Sequence, residues 1–389
     1  MRQLSEKIAA VLPSATIAIS DKAKKMQREG TDVISLSIGE PDFDTPRHIK
    51  DACIDALNRG ETHYAPSNGI PELLNAVSEK ITRENHFSCS SEQVIVTCGA
   101  KDAIYETMEA ILNPGDETII LTPAWVSYEP CVQIAGGKVV KHAINPKTFQ
   151  LDDSLLELVN AKTKMIVINS PSNPTGAVFD MKSMNLVADL CTDYDIYAMS
   201  DEIYEKMVYG KEHISLAAIG DMEQRTITIN GFSKAYAMTG WRLGYAVAPK
   251  KIITEMSKVQ QHTISQATTF AMWGGVAALK GDQQCVEDMR EEFDQRRKYI
   301  ISELNLMGYE TAPADGAFYA FVKVTGDDME VASRWLEKAH VAATPGSAFY
   351  APGWIRLSYA TSMERLKEAM GRIRRVGKRG DLFFKITHC

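Results

Sequence analysis

Short, almost wholly apolar runs alternate along the middle of the chain with segments of helical periodicity. The helical segments include 103–112 and 183–191, and the apolar runs predict strands at 94–97, 118–121, 138–142, 165–169, 196–200, 226–230 and 244–248. Runs without regular polar positions are typical of strands that are covered on both faces. The alternation therefore predicts an α/β fold, with a mostly parallel central sheet flanked by helices.

The pattern changes at about residue 283. Residues 287–304 are highly charged and have helical spacing, which predicts one exposed amphipathic helix. Short strands are predicted around 318–324 and 355–359. We therefore expect a large domain at 46–282, a smaller α+β domain at 283–389, and an N-terminal arm at 1–45 that also forms part of the small domain. The basic cluster in 371–389 is interpreted as a helix end and chain terminus rather than a nucleic-acid surface.

Composition narrows the class of protein. The 389 residues carry a formal net charge of -7, from 50 acidic and 43 basic side chains, whereas non-specific nucleic-acid binding requires a basic face. Seven cysteines are scattered without a C-x-x-C pair, which favours free thiols in a reducing compartment over disulfides or a zinc site. The N-terminus lacks the apolar core of a signal peptide, and no run is long enough to span a membrane. We expect a cytoplasmic protein without a metal.

The sharpest chemical signal is a single lysine in the segment 231–244, GFSKAYAMTGWRLG, which follows a predicted strand. Lys234 stands among small and apolar residues, with Ser233 before it and Arg242 eight positions later. Burial and nearby cations lower the pKa of a lysine and leave a neutral amine that can attack a carbonyl group. The alternative is a surface lysine whose stem packs after a strand, and the lysine alone does not decide between them.

Two polar residues follow other predicted strands. Asp201 comes after the strand at 196–200, and an acid at the carboxyl end of a parallel strand points into the crevice where such sheets bind ligands. The alternative is a helix N-cap. Asn173 lies in the loop 169–176, NSPSNPTG, which two prolines and a glycine make rigid and non-helical; the alternative is a plain turn.

Three further positions suit an anionic, flat ligand. Small residues in the turn 97–102, TCGAKD, allow close approach to a helix N-terminus, which offers N–H groups to an anion. The turn lacks the glycine patterns of dinucleotide and nucleoside-triphosphate sites. Trp125 could stack on a flat ring or could be a core residue. Arg356, on a predicted late strand, suits a carboxylate ligand or a surface ion pair.

Together these segments resemble the class I/II aminotransferases, which are fold-type I enzymes dependent on pyridoxal 5'-phosphate (PLP). Segment 231–244 matches the family's PLP-lysine signature at each position that can be checked. Further family segments follow in order, namely GEPDF at 39–43, Y-x-x-x-x-G at 64–69, NPTG at 173–176 and R-x-S-Y at 356–359. The resemblance therefore covers almost the whole chain and implies a large PLP-binding domain with a smaller α+β domain.

The resemblance implies a role for each site residue. Lys234 holds PLP as a Schiff base and moves the α-proton, Asp201 faces the ring nitrogen, and Tyr204 and Asn173 reach the phenolic oxygen. Trp125 stacks on the ring. The phosphate is bound by Ser233, Arg242 and the turn of Gly99, Ala100 and Lys101. Tyr64 reaches the phosphate of the neighbouring subunit, which implies a homodimer with shared active sites.

For the substrate, the resemblance places Arg356 on the α-carboxylate, with Gly39, Asn173 and Trp125 nearby. The region 261–266 supplies no evident arginine for a distal carboxylate, and the chain is most similar to a bacterial and archaeal aspartate aminotransferase subgroup that uses the lysine at the position of Lys101. We therefore expect amino transfer from aspartate to 2-oxoglutarate by a ping-pong mechanism. Aromatic, prephenate or alanine-type aminotransferases and a carbon–sulfur lyase on the same fold remain alternatives. A PLP-binding transcription regulator is disfavoured because no helix-turn-helix is apparent.

Overall fold

The computed structural model describes residues 4–11 and 15–380. Its strands are β1 (Ile34–Ser35), β2 (Val94–Thr97), β3 (Glu117–Thr122), β4 (Lys138–Ala143), β5 (Thr163–Asn169), β6 (Tyr197–Asp201), β7 (Thr226–Gly231), β8 (Gly244–Val247), β9 (Tyr319–Lys323), β10 (Val341–Ala342), β11 (Thr344–Pro345) and β12 (Trp354–Ser358). The seven strands predicted in the middle of the chain are β2 to β8, each with ends within two residues of the predicted ones.

The α-helices surround these strands. They are α1 (Glu6–Ala9), α2 (Ala15–Arg28), α3 (Arg47–Asn58), α4 (Pro71–Lys80), α5 (Ala100–Ile111), α6 (Tyr128–Ile134), α7 (Met181–Asp193), α8 (Lys250–Thr263), α9 (Thr269–Lys280), α10 (Gln284–Leu306), α11 (Asp328–Arg334) and α12 (Met363–Gly380). No helix in the described part of the chain is long and apolar enough to cross a membrane. The last residues of the predicted basic tail, 381–389, lie outside the described residues.

A seven-stranded sheet forms the centre of the larger part of the molecule, with the order β2-β8-β7-β6-β5-β3-β4. All neighbours are parallel except β8, which runs antiparallel to both β2 and β7. Every residue of β2, β7 and β8 is buried, because helices cover both faces, whereas half of the residues of the edge strand β4 are exposed. The predicted mostly parallel sheet is therefore confirmed.

A smaller α+β part is built on a three-stranded antiparallel sheet in the order β11-β12-β9. Helix α10 packs on it through Phe293, Ile300 and Leu304, and the buried residues on this face of the helix also include Val286 and Met289. Their spacing of three, four, seven and four residues keeps them on one face, as the charged pattern of 287–304 predicts. Strand β1 pairs in parallel with β10, so the N-terminal region joins this smaller part.

The two parts meet at the carboxyl ends of the parallel strands. The last residue of β5, Asn169, pairs in register with the last residue of β6, Asp201. The Asn169 amide donates to the Asp201 carbonyl oxygen at 2.9 Å, and its own side-chain oxygen accepts from the Asn173 N–H at 2.8 Å. The rigid loop after β5 is thus fastened to the end of β6, at the edge where ligands bind in such sheets.

Candidate active site

A cavity of about 600 Å³ opens at this edge, between the large sheet and the smaller part. The predicted site residues that line it are Gly39, Ala100, Lys101, Trp125, Asn173, Asp201, Tyr204, Ser233, Lys234, Arg242 and Arg356. Of the predicted set, Gly99 lies next to the cavity through its contact with Arg242, and Tyr64 lies outside it. Residues spread over more than three hundred positions of sequence therefore converge on one space.

Lys234 projects into the cavity from the turn after β7. Its ammonium donates to the Gly39 carbonyl oxygen at 2.7 Å. Burial lowers the pKa of Lys234 to about 8, and the positive charges of Arg356 and Arg242 act in the same direction, while Glu40 opposes them. A lysine with this pKa has a far larger neutral fraction near neutral pH than a surface lysine, which suits a nucleophile and proton acceptor.

Asp201 is almost completely buried, with 4% of its surface exposed. Its Oδ2 accepts a hydrogen bond from the Tyr128 hydroxyl at 2.6 Å, and its Oδ1 accepts from the Ile203 backbone N–H at 3.2 Å. Burial raises the pKa of Asp201 to about 6, and these two hydrogen bonds oppose that rise. No α-helix begins at this residue, so the alternative interpretation as a helix N-cap is wrong.

Arg356 and Asn173 form a buried pair across the two parts of the molecule. The Arg356 Nη1 donates to Asn173 Oδ1 at 2.8 Å, and Nη2 donates to the Ser37 carbonyl oxygen at 2.6 Å. Arg356 Nε is buried and has no partner among the described residues. Arg356 is 4% exposed, so the alternative of a surface ion pair is wrong. An arginine buried without a carboxylate partner within the described chain is suited to a carboxylate ligand.

The turn before α5 forms a cradle for an anion. Gly99 has a φ of 83°, and a Cβ atom there would lie 2.7 Å from Arg242 Nη2, so only glycine lets the guanidinium approach the start of the helix. The first N–H groups of α5 have no partner within the helix. Arg242 donates to the Thr239 carbonyl oxygen at 3.0 Å, and Ser233 lines the same cavity. This donor set fits a phosphate group.

Trp125 and Lys101 lie together on another wall. The Lys101 ammonium is 4.8 Å from the centroid of the Trp125 ring, and burial lowers the pKa of Lys101. Trp125 itself makes an edge contact with the Tyr128 ring, with 5.4 Å between centroids. A cation and an indole therefore stand on one side of the cavity, and Trp125 is a wall of the cavity rather than a core residue.

Two tyrosines that line the cavity carry no role in the sequence analysis. One is Tyr128, and the signal that could have pointed to it is its position three residues after Trp125. The other is Tyr319 on β9, whose hydroxyl is 2.7 Å from the Tyr204 hydroxyl and whose ring lies 4.6 Å from the Arg356 guanidinium carbon. Tyr319 had no local signal, because it meets Tyr204 only when the smaller part packs on the larger one.

Tyr64 behaves differently from the other predicted residues. Its side chain is 92% exposed, yet its loop is fixed on both sides. The Ala65 N–H donates to Gln266 Oε1 at 2.6 Å, and the Thr269 hydroxyl donates to the His63 carbonyl oxygen at 2.8 Å. A large aromatic side chain on a fastened loop is thus presented outward, away from the cavity of its own chain.

The cavity offers what PLP requires. A buried carboxylate suits its ring nitrogen, a lysine of lowered pKa suits its aldehyde carbon, and the glycine-dependent cradle of Arg242 and the α5 N-terminus suits its phosphate. The unpartnered Nε of Arg356 leaves binding capacity for a substrate carboxylate. The described residues therefore fit this cofactor.

Comparison with known proteins agrees with this chemistry. The family described as aminotransferase class I and II matches residues 31–373. An aspartate/prephenate aminotransferase of Thermus thermophilus is 43% identical over 384 residues, which cover 97% of this chain and 99% of that protein. An aspartate aminotransferase of Bacillus subtilis is 42% identical over 386 residues, with 96% and 98% covered.

A solved structure extends the likeness to three dimensions. The aspartate aminotransferase from Thermus thermophilus with maleate superposes with a TM-score of 0.94 at 43% identity, and the match covers 97% of this chain and all of that chain. The predicted fold-type I architecture is thereby confirmed. The chain belongs to the class I and II aminotransferases, and it is a PLP-dependent enzyme that transfers amino groups.

Proposed function

We propose that this aminotransferase passes the amino group of L-aspartate to 2-oxoglutarate. The observation that carries the proposal is the presence of Lys101 in the same cavity as the buried Arg356. Neither cation has a carboxylate partner among the described residues, so the cavity has two positive groups for a substrate with two carboxylates. The names of the relatives from Thermus thermophilus and Bacillus subtilis include aspartate, which supports the same substrate.

PLP bound here supplies an electron sink for the negative charge that develops at the substrate Cα. Asp201 holds a proton at the ring nitrogen, and Tyr204 and Asn173 bind the phenolic oxygen. Lys234 would hold the cofactor covalently, and its amine, once released, would take the proton from the substrate Cα and deliver it to the C4′ carbon of the cofactor. The remaining cofactor contacts are assigned to Trp125, Ser233, Arg242, Gly99, Ala100 and Lys101.

The substrate is oriented by its carboxylates. Arg356 binds the α-carboxylate beside Gly39, and the Lys101 ammonium binds the distal carboxylate. Asn173 orients the guanidinium through its hydrogen bond at 2.8 Å, and Trp125 forms the adjacent wall. Fixing both ends of a dicarboxylate holds its Cα–H bond in one place, which is how positioning raises the rate of proton transfer.

Prephenate, a larger dicarboxylate acceptor, is a second candidate. Two apolar side chains, Ile38 and Ile104, line the cavity together with Trp125, and Ile38 is 40% exposed. Such a wall can accept a ring next to the carboxylate groups. The name of the relative from Thermus thermophilus also includes prephenate. Transfer from L-aspartate to prephenate at a rate comparable to that with 2-oxoglutarate would support a dual acceptor range.

We also propose a homodimer in which Tyr64 reaches the phosphate bound by the partner subunit. Its exposure of 92% on a fastened loop supports this arrangement.

The proposed domains are 46–282 and 283–389, with 1–45 divided between an arm and the smaller domain; the separate sheets support this division. The proposal of a cytoplasmic enzyme rests on the scattered cysteines, and the six in the described residues are free thiols.

The first test is a half-reaction. L-aspartate is added to the PLP-loaded enzyme without a 2-oxo acid, and oxaloacetate release is measured alongside the visible band of the cofactor. We expect loss of the band and stoichiometric oxaloacetate, because the amino group is retained on the enzyme until an acceptor arrives. Loss of the band with L-phenylalanine or L-alanine but not with L-aspartate would contradict the aspartate proposal and leave the aminotransferase intact.

A further inference from the structure

Tyr128 makes the closest side-chain contact to Asp201 in the described chain. Its hydroxyl donates to Asp201 Oδ2 at 2.6 Å, and the residue is only 2% exposed. Tyr128 is the first residue of α6 and lies three residues after Trp125. Its ring packs edge-on against the Trp125 ring, with 5.4 Å between the ring centroids. Because the ring of Tyr128 is buried and packed, it has little freedom to rotate, and its hydroxyl is held against the Asp201 carboxylate.

The contact affects the charge of Asp201. A hydrogen bond donated to an ionised carboxylate favours the ionised form and is stronger than a bond between neutral groups. Burial pushes the pKa of Asp201 upward, and the Tyr128 bond is the largest influence in the opposite direction, ahead of the Ile203 N–H and the Lys234 charge. Burial also raises the pKa of the Tyr128 hydroxyl well above its ordinary value, so this group stays protonated and acts as a donor.

We propose that Tyr128 is a positioning residue, whose buried hydroxyl fixes the Asp201 carboxylate and keeps it ionised for the ring nitrogen of the cofactor. The inference rests on the proposed role of Asp201. A carboxylate buried without this donor takes up a proton more readily and can then no longer hold the ring nitrogen in its protonated form. Tyr128 thus acts on the reaction through Asp201, without a contact to the substrate.

The test is Tyr128→Phe, which removes the hydroxyl and keeps the ring. The readout is the nitrogen-15 chemical shift of PLP labelled at the ring nitrogen, which reports whether that nitrogen is protonated. We expect the shift to move toward the unprotonated value and kcat with L-aspartate to fall about tenfold, since the lost bond is to a charged group. The KM for L-aspartate should stay within about twofold, because no substrate contact is removed.

A matched control is Tyr209→Phe. Tyr209 is also buried, and its hydroxyl donates to the Ala317 carbonyl oxygen at 2.7 Å, but it does not line the cavity. We expect the same chemical shift and kcat as in the wild-type enzyme. A wild-type shift and kcat in Tyr128→Phe, or an effect confined to KM, would overturn the proposal.

Asp201→Asn separates this inference from the one on which it rests. If that variant leaves the nitrogen shift unchanged, the role of Asp201 itself is wrong. If it moves the shift and Tyr128→Phe does not, only the role of Tyr128 is wrong. Should Tyr128→Phe fail to fold, 3-fluorotyrosine at position 128 keeps the shape and makes the hydroxyl a stronger donor. The nitrogen should then remain protonated to a higher pH than in the wild-type enzyme, and no change would overturn the inference.

Discussion

At the scale of single residues, the cavity is defined by cationic side chains that have no carboxylate ion-pair partner among the described residues. Arg356, Lys234 and Lys101 lie in one space of about 600 Å³, and burial lowers the pKa of Lys234 to about 8. Isolated cations of this kind are costly unless a ligand supplies the opposite charge. The same cost gives the cavity its preference for anionic substrates and for a phosphate-bearing cofactor.

The distal contact is testable at Lys101. Replacing Lys101 with methionine keeps most of the side-chain volume and removes the charge, so we expect KM for L-aspartate and 2-oxoglutarate to rise about tenfold to a hundredfold, the loss of a charged hydrogen bond. Activity with L-alanine, which has no distal carboxylate, should fall little. Steady-state kinetics with both amino acids measure the difference.

A matched control for that variant is Lys141→Met. Lys141 also stands over an aromatic ring, with its ammonium 4.1 Å from the Tyr350 centroid, but it lies outside the cavity. The Lys141→Met variant should therefore leave KM for L-aspartate and for L-alanine unchanged. Equal losses with L-aspartate and L-alanine in Lys101→Met would show that Lys101 acts on the cofactor alone.

At the scale of elements, helix α5 joins the phosphate cradle to an unusual buried acid. Glu106 is completely buried one turn after Asp102, and neither of its carboxylate oxygens has a partner among the described residues. Burial raises its pKa to about 9, and the Asp102 charge adds to the effect. Glu106 is therefore protonated in the folded enzyme at neutral pH, although it would be ionised in the unfolded chain.

This acid makes the stability dependent on pH. Because the pKa of Glu106 is raised on folding, the folded state keeps its proton at pH values where the unfolded chain has lost it. The contribution of this protonated side chain to the free energy of unfolding is therefore complete below about pH 4.5 and is lost as the pH rises toward 9. In Glu106→Met this dependence should disappear. The free energy of unfolding of the variant, relative to that of the wild-type protein, should therefore rise by about 2–4 kcal/mol as the pH is raised from 5 to 8. Denaturant unfolding at several pH values measures the gain.

An exposed acid provides the comparison for that experiment. Glu255 on α8 is ion-paired with Lys258 at the surface, so Glu255→Met should change the free energy of unfolding little and equally at each pH. A gain for Glu106→Met that is the same at pH 5 and pH 8 would show that better packing, rather than loss of a titrating group, is responsible.

The elements also show which parts of the fold can be predicted from the sequence. Strands β2 to β8 could be located because strands covered on both faces appear in the sequence as short, almost wholly apolar runs. The side chains at their carboxyl ends, such as Asp201 and Asn173, could be predicted because parallel topology gathers those ends. Tyr319 could not, because its place beside Tyr204 depends on how β9 of the smaller part docks, and no local pattern encodes that contact.

At the scale of the whole molecule, the one predicted site residue that the described chain does not bring to the cavity is Tyr64. All the others lie in or against the cavity, but Tyr64 is exposed on a loop held by Gln266 and Thr269. A second copy of the chain would explain why a tyrosine is presented in this way. Its cavity would then be completed by residues of two chains, as closed dimers with identical interfaces allow.

Mixing two impaired variants tests this arrangement. Tyr64→Ala should weaken the binding of PLP phosphate, and Lys234→Ala should abolish turnover, so each homodimer is impaired in both sites at limiting PLP. If Tyr64 acts on the partner, a hybrid dimer has one site with Lys234 and Tyr64 both intact and one with neither. Random reassortment makes half of the dimers hybrids, and each hybrid has one intact site, so activity should reach about a quarter of the wild-type value.

The control is a mixture of Lys234→Ala with Arg356→Leu. Arg356 and Lys234 line the cavity of the same chain, so no site of this hybrid is intact and activity should stay at background. Activity that stays at background in both mixtures would place Tyr64 in the site of its own chain and contradict the shared active site.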